Sequence, residues 1–479
     1  MQTFYWHDYE TWGVDPSRDR ACQFAGIRTD LDFNIIGEPL VMYCRPPQDL
    51  LPQPEACLIT GIAPQLALTE GLSEYEFIAA IHRELSAPGT CGVGYNSIRF
   101  DDEVTRYTLY RNFYDPYARE WQNGNSRWDI IDMVRACRAL RPGGIKWPDN
   151  ADGLPSFKLT DLTMANGIAH EHAHDALSDV YATIAIARLI KQKQPKLFDY
   201  LFKLRNKREV SALLNIVEKN PVLHISGMFG AARNNGAVVM PLAMHPTNAN
   251  GVICYDLSID PTPLIALSAE QIRERVFNAT DQLNGERIPL KTIHINKSPV
   301  VTTVKMVDTV IAQRIQVDLA KCEEHRRQLL AAKDLAGKLR DVFTSAEYRV
   351  SNDPEQMLYS GGFFSDADRA TMLQVRKAEG DTLARQTFIF EDKRLPELLW
   401  RYRARNFPQT LSNEERQEWA QFCARRLTDP AAGAGIVLDD YRRRLTELNT
   451  AAESEQQKLL LTHLADYAET LLNSAASQQ

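Results

Sequence analysis

The chain has no CxxC pair, no apolar run near the ~20 residues that a membrane helix needs, and no internal repeat. No stretch is of low complexity beyond the polar tail NSAASQQ. Its eight cysteines, at positions 22, 44, 57, 91, 137, 254, 322 and 423, are scattered. That spacing argues against a zinc site or a disulfide framework and fits a reducing cytosol, so a cytoplasmic protein is expected. A signal peptide is not expected, because His7, Asp8 and Glu10 interrupt the only early apolar stretch. Positive charge is short: 55 Lys and Arg against 62 Asp and Glu leave a net charge of −7. Taken alone, that argues against a nucleic-acid binder, which usually carries a basic footprint. The objection weakens for an enzyme. Metal-binding carboxylates add negative charge, and a local basic groove can coexist with an acidic remainder.

At 479 residues the chain is too long for one core, so two or three domains are expected. Residues 3–11 are aromatic-rich and partly alternating, which predicts a strand. ACQFAGIRTD and PLVMYCRP predict two more, with LDFNIIGE as the turn between them. SEYEFIAAIHREL has helical spacing with Ser73 as its N-cap, and TCGVGYN reads as a short buried strand. DDEVTRYTLYRNF, DIIDMVRACRAL and DALSDVYATIAIARLIKQ read as helices. Strands first, then strand–helix alternation, imply an α/β domain over residues 1–190. From 196 to 347, a basic stretch (Lys203, Arg205, Lys207, Arg208) precedes the strand-like runs VLHISGMFG, NGVICYDLS and LKTIHINKSPVV. Gly, Pro and Asn turns separate them, so a small β-rich domain is expected. Residues 350–479 read as helical, and KLLLTHLADYAETLL carries Leu460, Leu464, Tyr467 and Leu471 at helical spacing.

The chemistry lies in a dispersed acidic set. Asp8 and Glu10 are two apart on the first strand, so both side chains leave one face. A D-x-E on a strand is common, and an exposed edge strand explains it plainly. Phe4, Tyr5, Trp6, Tyr9 and Trp12 favour an interior strand instead, where two carboxylates on one face are unfavourable unless a cation binds. Asp101 opens the helix after GVGYNSIRF, where it could cap the helix, bind a cation, or do both. His174 precedes a helix and Asp179 lies five residues on, about 500° of turn at ~3.6 residues per turn. The two converge only if His174 leans in from the preceding loop, with Asp175 as the N-cap. Taken alone, His174 is more simply a surface loop histidine, as His170 and His172 are. Together, four carboxylates and one histidine can hold two divalent metals and activate a water for phosphodiester hydrolysis. Oxygen-only ligands suit Mg²⁺ or Mn²⁺, and a histidine titrating near neutrality can take the proton.

The order Asp-x-Glu, then Asp, then His-x₄-Asp resembles the DEDD 3′–5′ exonuclease superfamily in its histidine variant. HDYETWG, QFAGIRTD, GYNSIRFDDEVTR, RNFYDPYARE, LPSFKL, HISGMFGA, HINKSPV, GGFFSDADR and YRARNFP resemble the bacterial exonuclease I family over essentially the whole chain. The resemblance implies a ribonuclease H-like exonuclease domain, then an SH3-like β-rich domain, then an α-helical C-terminal domain. It implies a monomer that releases 5′-mononucleotides from the 3′ end of single-stranded DNA with Mg²⁺, in DNA repair and recombination. Asp8, Glu10, Asp101 and Asp179 match the metal-binding carboxylates, and His174 the general base. The family also docks the acidic C-terminal tail of single-stranded DNA-binding protein, for which Arg141, Lys203 and Lys207 are candidate cations.

Single-strand grooves combine cations for phosphates with aromatic faces for bases. Arg106, Tyr117, Trp121, Arg135 and Lys158 offer that mix and match groove-lining positions of the family. Lys158 stands where some relatives have Arg, which keeps the charge but loses bidentate geometry. Asn296, Lys297, Phe363 and Phe364 are candidates from the other two domains. Core packing would equally explain each aromatic, and a solvated surface each cation. Two further readings stay open: an exoribonuclease of the same superfamily, since the 2′-OH distinguishes RNA, and a non-catalytic single-strand-binding scaffold.

Overall fold

The computed structural model describes residues 2–170, 175–283, 285–344, 351–378 and 380–477. They divide into two compact units. The first takes its described residues from 1–126, 171–181 and 349–479, the second from 127–170 and 182–348.

In the first unit, β1 (Thr3–Thr11) is built from aromatic and β-branched side chains that suit a buried pleated surface. Phe4, Tyr5 and Trp6 are almost fully buried. β2 (Ala21–Thr29) runs antiparallel to β1, with Asp8 opposite Ala25 and Glu10 opposite Gln23. β3 (Leu40–Tyr43) pairs with the far side of β2, and Tyr43 faces Gln23. β4 (Thr90–Gly94) joins β1 in parallel, from Thr3 opposite Thr90 to Trp6 opposite Val93. The order here is β3-β2-β1-β4. The helix Glu74–Ser86 starts with a capping box, Ser73 reciprocated by Glu76, as the Ser73 reading expects. β5 (Ser126–Asp129) lies where the chain passes from the first unit into the second. At four residues, SRWD is too short to show a period in sequence.

The C-terminal helices belong to this same unit. Leu460, Leu464, Tyr467 and Leu471 of the helix Glu455–Ser477 are buried with Tyr441 and Leu445 of the helix Leu438–Ala451. Trp12, Cys22, Leu51 and Cys57 share that core. Each large apolar side chain fully buried there is worth roughly 1.5–3 kcal/mol. A buried ion network adds to the join. Arg405 bonds Asp49 at 2.8 Å and also Glu355; Glu355 bonds Arg20 at 2.8 Å. Arg426 meets Asp353 at 2.7 Å and Asp49 at 3.1 Å, and Glu74 meets Arg111 at 2.8 Å. Burial alone would raise these carboxyls. The guanidiniums of Arg405 and Arg426 outweigh it and hold Asp49 at about 2. Arg111 and Arg20 do the same for Glu74, also at about 2.

The second unit contains a five-stranded antiparallel sheet. β6 (Val222–Ile225), β7 (Gly236–Met244), β8 (Gly251–Asp256), β9 (Leu290–His294) and β10 (Val300–Thr303) lie in the order β10-β6-β7-β8-β9. The run LKTIHINKSPVV is therefore two strands, with Asn296 and Lys297 in the turn between them. β7 is an addition to the sequence reading. Its Pro241 disguises it, because proline cannot donate to a ladder; here the register shifts between Pro241 and Ala243 to accommodate it. All eight cysteines are buried, and none forms a disulfide among the described residues. Among the described residues, no helix is long and apolar enough to cross a membrane.

Candidate active site

β1 pairs with β4 only as far as Trp6, so Asp8 and Glu10 stand just beyond the paired stretch, on one face of the strand. Asp179 comes from the helix Ala176–Lys193. One carboxylate oxygen from each of Asp8, Glu10 and Asp179 lies within 4.8 Å of the others. Asp101 is the first residue of the helix Asp101–Arg111, and the N-cap position is Phe100. Asp101 therefore does not occupy the N-cap position. Oδ1 instead accepts the backbone N–H of Tyr9, between the two acidic residues of β1, at 3.1 Å. Thr105 fastens the same corner, its hydroxyl 2.8 Å from the Asp101 carbonyl and 2.9 Å from the Tyr9 hydroxyl. Gly94 lets β4 end this close: a Cβ there would lie 2.5 Å from Ser97 Cβ and 3.3 Å from the His7 carbonyl oxygen.

The electrostatics are those of crowded, buried carboxylates. Burial first, then Asp101, Glu10, Asp179 and Asp175, push the Asp8 carboxyl well above its usual value. Burial, Asp179, Asp101 and Asp175 lift Glu10 to about 8. Carboxylates that destabilise one another's charge become favourable together when a divalent cation sits among them. The donor set fits such an ion: it is all oxygen, which suits hard cations such as Mg²⁺ or Mn²⁺. Asp175 takes the N-cap role expected of it, Oδ2 accepting Ser178 N–H at 3.2 Å. His174 lies outside the described residues, as does His172.

Comparison with known proteins bears on the same residues. Family models for an exonuclease match residues 5–187, for the exonuclease I SH3-like domain 205–345, and for the exonuclease I C-terminal domain 352–471. Exodeoxyribonuclease I of Escherichia coli K12 is 48% identical over 475 residues, 98% of each chain. The chain belongs to the exodeoxyribonuclease I family. Its fold is that of the family, an exonuclease domain followed by SH3-like and C-terminal domains. A zinc-bound E. coli exonuclease I–ssDNA complex superposes with a TM-score of 0.94 at 47% identity, covering 98% of this chain and all of that one. An exonuclease I complexed with the inhibitor CFAM, described as SSB/Exonuclease I, gives 0.91 at 47% over the same shares.

The expected groove residues of this family member fall into different surroundings. In the first unit, Trp121 is 65% and Phe363 83% exposed, rings free to stack. The half-buried Tyr117 lies under Arg106, 5.3 Å from the guanidinium, and meets Phe363 edge-on at 5.9 Å. Arg106 itself is buried and bonded to Glu120 at 2.7 and 2.8 Å, to Glu103 at 2.8 Å and to the Tyr359 hydroxyl at 2.9 Å. A phosphate there would share an occupied cation. Phe364 is half-buried: its ring stacks on Tyr110 at 5.9 Å, with the Arg394 guanidinium over it at 4.7 Å. In the second unit, Arg135 pairs with Asp132 at 2.7 Å, while Lys158 and Asn296 are exposed and Lys297 is half-buried.

Two participants escape sequence reasoning. Tyr359 bonds both Arg106 and Glu103, and nothing local marks it. Gln23 touches the start of the helix that carries Asp179. Its signal was available: a glutamine inside the apolar run ACQFAGI is a buried polar group that needs partners.

Proposed function

We propose that this chain hydrolyses single-stranded DNA from its 3′ end, releasing 5′-mononucleotides, with Asp8, Glu10, Asp101 and Asp179 holding two Mg²⁺ ions, for which Mn²⁺ can substitute. The observation that carries the reading is the convergence of Asp8, Glu10 and Asp179 within 4.8 Å, where burial and the neighbouring carboxylates raise Asp8 and Glu10. Bound cations would polarise the scissile phosphate and stabilise charge developing on the departing 3′ oxygen. The protein's own part is to fix those oxygens. β1 sets Asp8 and Glu10 two residues apart, and the Tyr9 N–H orients Asp101. His174, one residue before the N-cap Asp175, takes the proton of the attacking water.

The boundaries we propose are 1–190 for the nuclease domain, 196–347 for the SH3-like domain and 350–479 for the helical domain. Trp121, Phe363 and Phe364 would stack bases beside Tyr117 and Arg106, and Arg135, Lys158, Asn296 and Lys297 are proposed as further DNA contacts. We further propose a cytoplasmic monomer that serves DNA repair and recombination and docks the acidic tail of single-stranded DNA-binding protein. A cavity of about 500 Å³ in the second unit suits such a tail. Leu197, Tyr200, Leu201 and Val300 offer an apolar floor, and Arg141 and Lys196 offer charge for a carboxylate. Lys203 and Lys207 do not line that cavity.

The test is a time course on a 5′-end-labelled single-stranded oligonucleotide with Mg²⁺ and with EDTA. Mg²⁺-dependent shortening from the 3′ end is expected. Binding without shortening would favour a scaffold, and faster shortening of an RNA oligonucleotide an exoribonuclease.

A further inference from the structure

We propose that Gln23 is a positioning residue that locks the helix bearing Asp179 to the strand pair bearing Asp8 and Glu10, an inference that rests on the metal-dependent reading above. Gln23 is 3% exposed on β2. Its amide must therefore find partners inside the protein. The carbonyl Oε1 accepts the Ala176 N–H at 3.2 Å, and Nε2 donates to Asp175 Oδ1 at 3.2 Å. The amide orientation follows from chemistry: a backbone N–H can only donate, and an ionised carboxylate can only accept. Gln23 also stands opposite Tyr43 of β3 in the ladder.

Ala176 opens its helix, so its N–H is one of the donors that the helix leaves without a partner. Asp175 satisfies Ser178 N–H, deeper in the first turn. Gln23 takes the Ala176 N–H that Asp175 does not reach, so the cap is shared between the loop and the sheet. Gln23 stands directly opposite Glu10 in the β1–β2 register. Paired residues in such a ladder hold their Cβ atoms about 4.5–5.5 Å apart on one face. The amide thus spans from the metal-facing side of the sheet to the first residue of the helix. Asp179 N bonds Asp175 O at 3.0 Å, one turn further on. Any shift of the helix start moves the Asp179 carboxylate relative to Asp8 and Glu10. The same bond holds Asp175, whose charge raises both of those carboxyls.

A merely structural amide would stabilise the fold without tuning metal binding, and the two roles separate experimentally. The full chain carrying Gln23→Met keeps the length and apolar stem of the side chain and loses both hydrogen bonds. Three measurements are made beside the wild type: Mn²⁺ binding by calorimetry without DNA, hydrogen exchange at the Ala176 amide, and kcat and KM on a single-stranded oligonucleotide with Mg²⁺. We expect Mn²⁺ affinity to fall about tenfold, exchange at Ala176 to accelerate, and kcat to fall about ten- to hundredfold with KM within about twofold, as sub-ångström misplacement does. The melting temperature should move by less than about 4 °C. If Gln23→Met does not fold, Gln23→Glu is read instead. It keeps the acceptor for Ala176 but sets a charge against Asp175, so slow exchange with reduced kcat is expected. Unchanged Mn²⁺ affinity and kcat, or a lowered melting temperature with unchanged Mn²⁺ affinity, would overturn the positioning role alone. A wild type that neither binds Mn²⁺ nor cleaves would overturn the functional reading, and this inference with it.

Discussion

Glu10 illustrates how a residue can be a liability to the empty fold and necessary to the loaded one. Its carboxyl is lifted to about 8 by burial and by Asp179, Asp101 and Asp175. Between its ordinary value near ~4.3 and about 8, the folded chain holds a proton that the unfolded chain has released. The sign is then fixed: the metal-free protein loses stability as pH rises through that window. Melting curves in EDTA from pH 5 to 8 should show a falling midpoint, and Mg²⁺ should raise the midpoint more at pH 8 than at pH 6. Glu10→Gln should flatten the decline and raise the metal-free midpoint at pH 8 by a few degrees while removing cleavage. A midpoint that climbs with pH in EDTA would contradict the assignment. Asp8→Ala should lower kcat on the order of a thousandfold, several kcal/mol of lost charge stabilisation at ~1.4 kcal/mol per factor of ten. Oligonucleotide binding measured by fluorescence anisotropy should persist. Asp8 and Glu10 were legible in the sequence because a strand has a period of two. Gln23 was legible only as a buried polar group, because its partner Asp175 is 152 residues away and only the fold brings them together.

The loop carrying Gly361, Gly362, Phe363 and Phe364 shows where pattern reading stops. In sequence the two phenylalanines are indistinguishable. In the structure Phe363 is 83% exposed, while Phe364 lies between Tyr110 and Arg394. Phe363→Ala should weaken single-stranded DNA binding by about 1–3 kcal/mol, a lost stacking face, and leave melting unchanged. Phe364→Ala should also destabilise the fold, by about 2–4 kcal/mol in the same pair of assays. Equal effects of the two substitutions on melting would mean that Phe364 packs no more firmly than Phe363. Elements with a clean period, such as β1 and the helix Glu455–Ser477, could be read from the sequence. β7 could not, because Pro241 sits inside it and the register shift that tolerates proline leaves no local mark.

At the scale of the molecule, the first unit is made from both ends of the chain. Its buried ion network joins Arg20 and Asp49 to Glu355, Arg405 and Arg426, pairs separated by 335 to 356 residues or more in sequence. No local pattern announces such pairing. Glu355 faces Arg20, Arg401 and Arg405; burial works against its charge, and those three cations overcome it and hold the carboxyl well below its ordinary value. Glu355→Gln would leave buried guanidiniums short of countercharge, at about 3–5 kcal/mol. Thermal melting at pH 7 should show a drop of many degrees, and an unchanged midpoint would mean the network is neutral to stability. Because Asp49 and Glu74 sit at about 2, their contribution is complete above ~4.5 and is lost only as pH falls toward 2. Acid should therefore loosen this unit in a window separate from the alkaline-side decline set by Glu10.

The shared core has a consequence for how the protein comes into being. Trp12 and Cys22 leave the ribosome more than 400 residues before Leu464, Tyr467 and Leu471, which share their core. At roughly 5–20 residues per second, that apolar face waits tens of seconds for its cover. During that interval the nascent chain carries a finished-looking sheet with an adhesive flank, a natural client for holding chaperones. A message broken before the final helices would therefore yield an aggregating fragment rather than a smaller working nuclease.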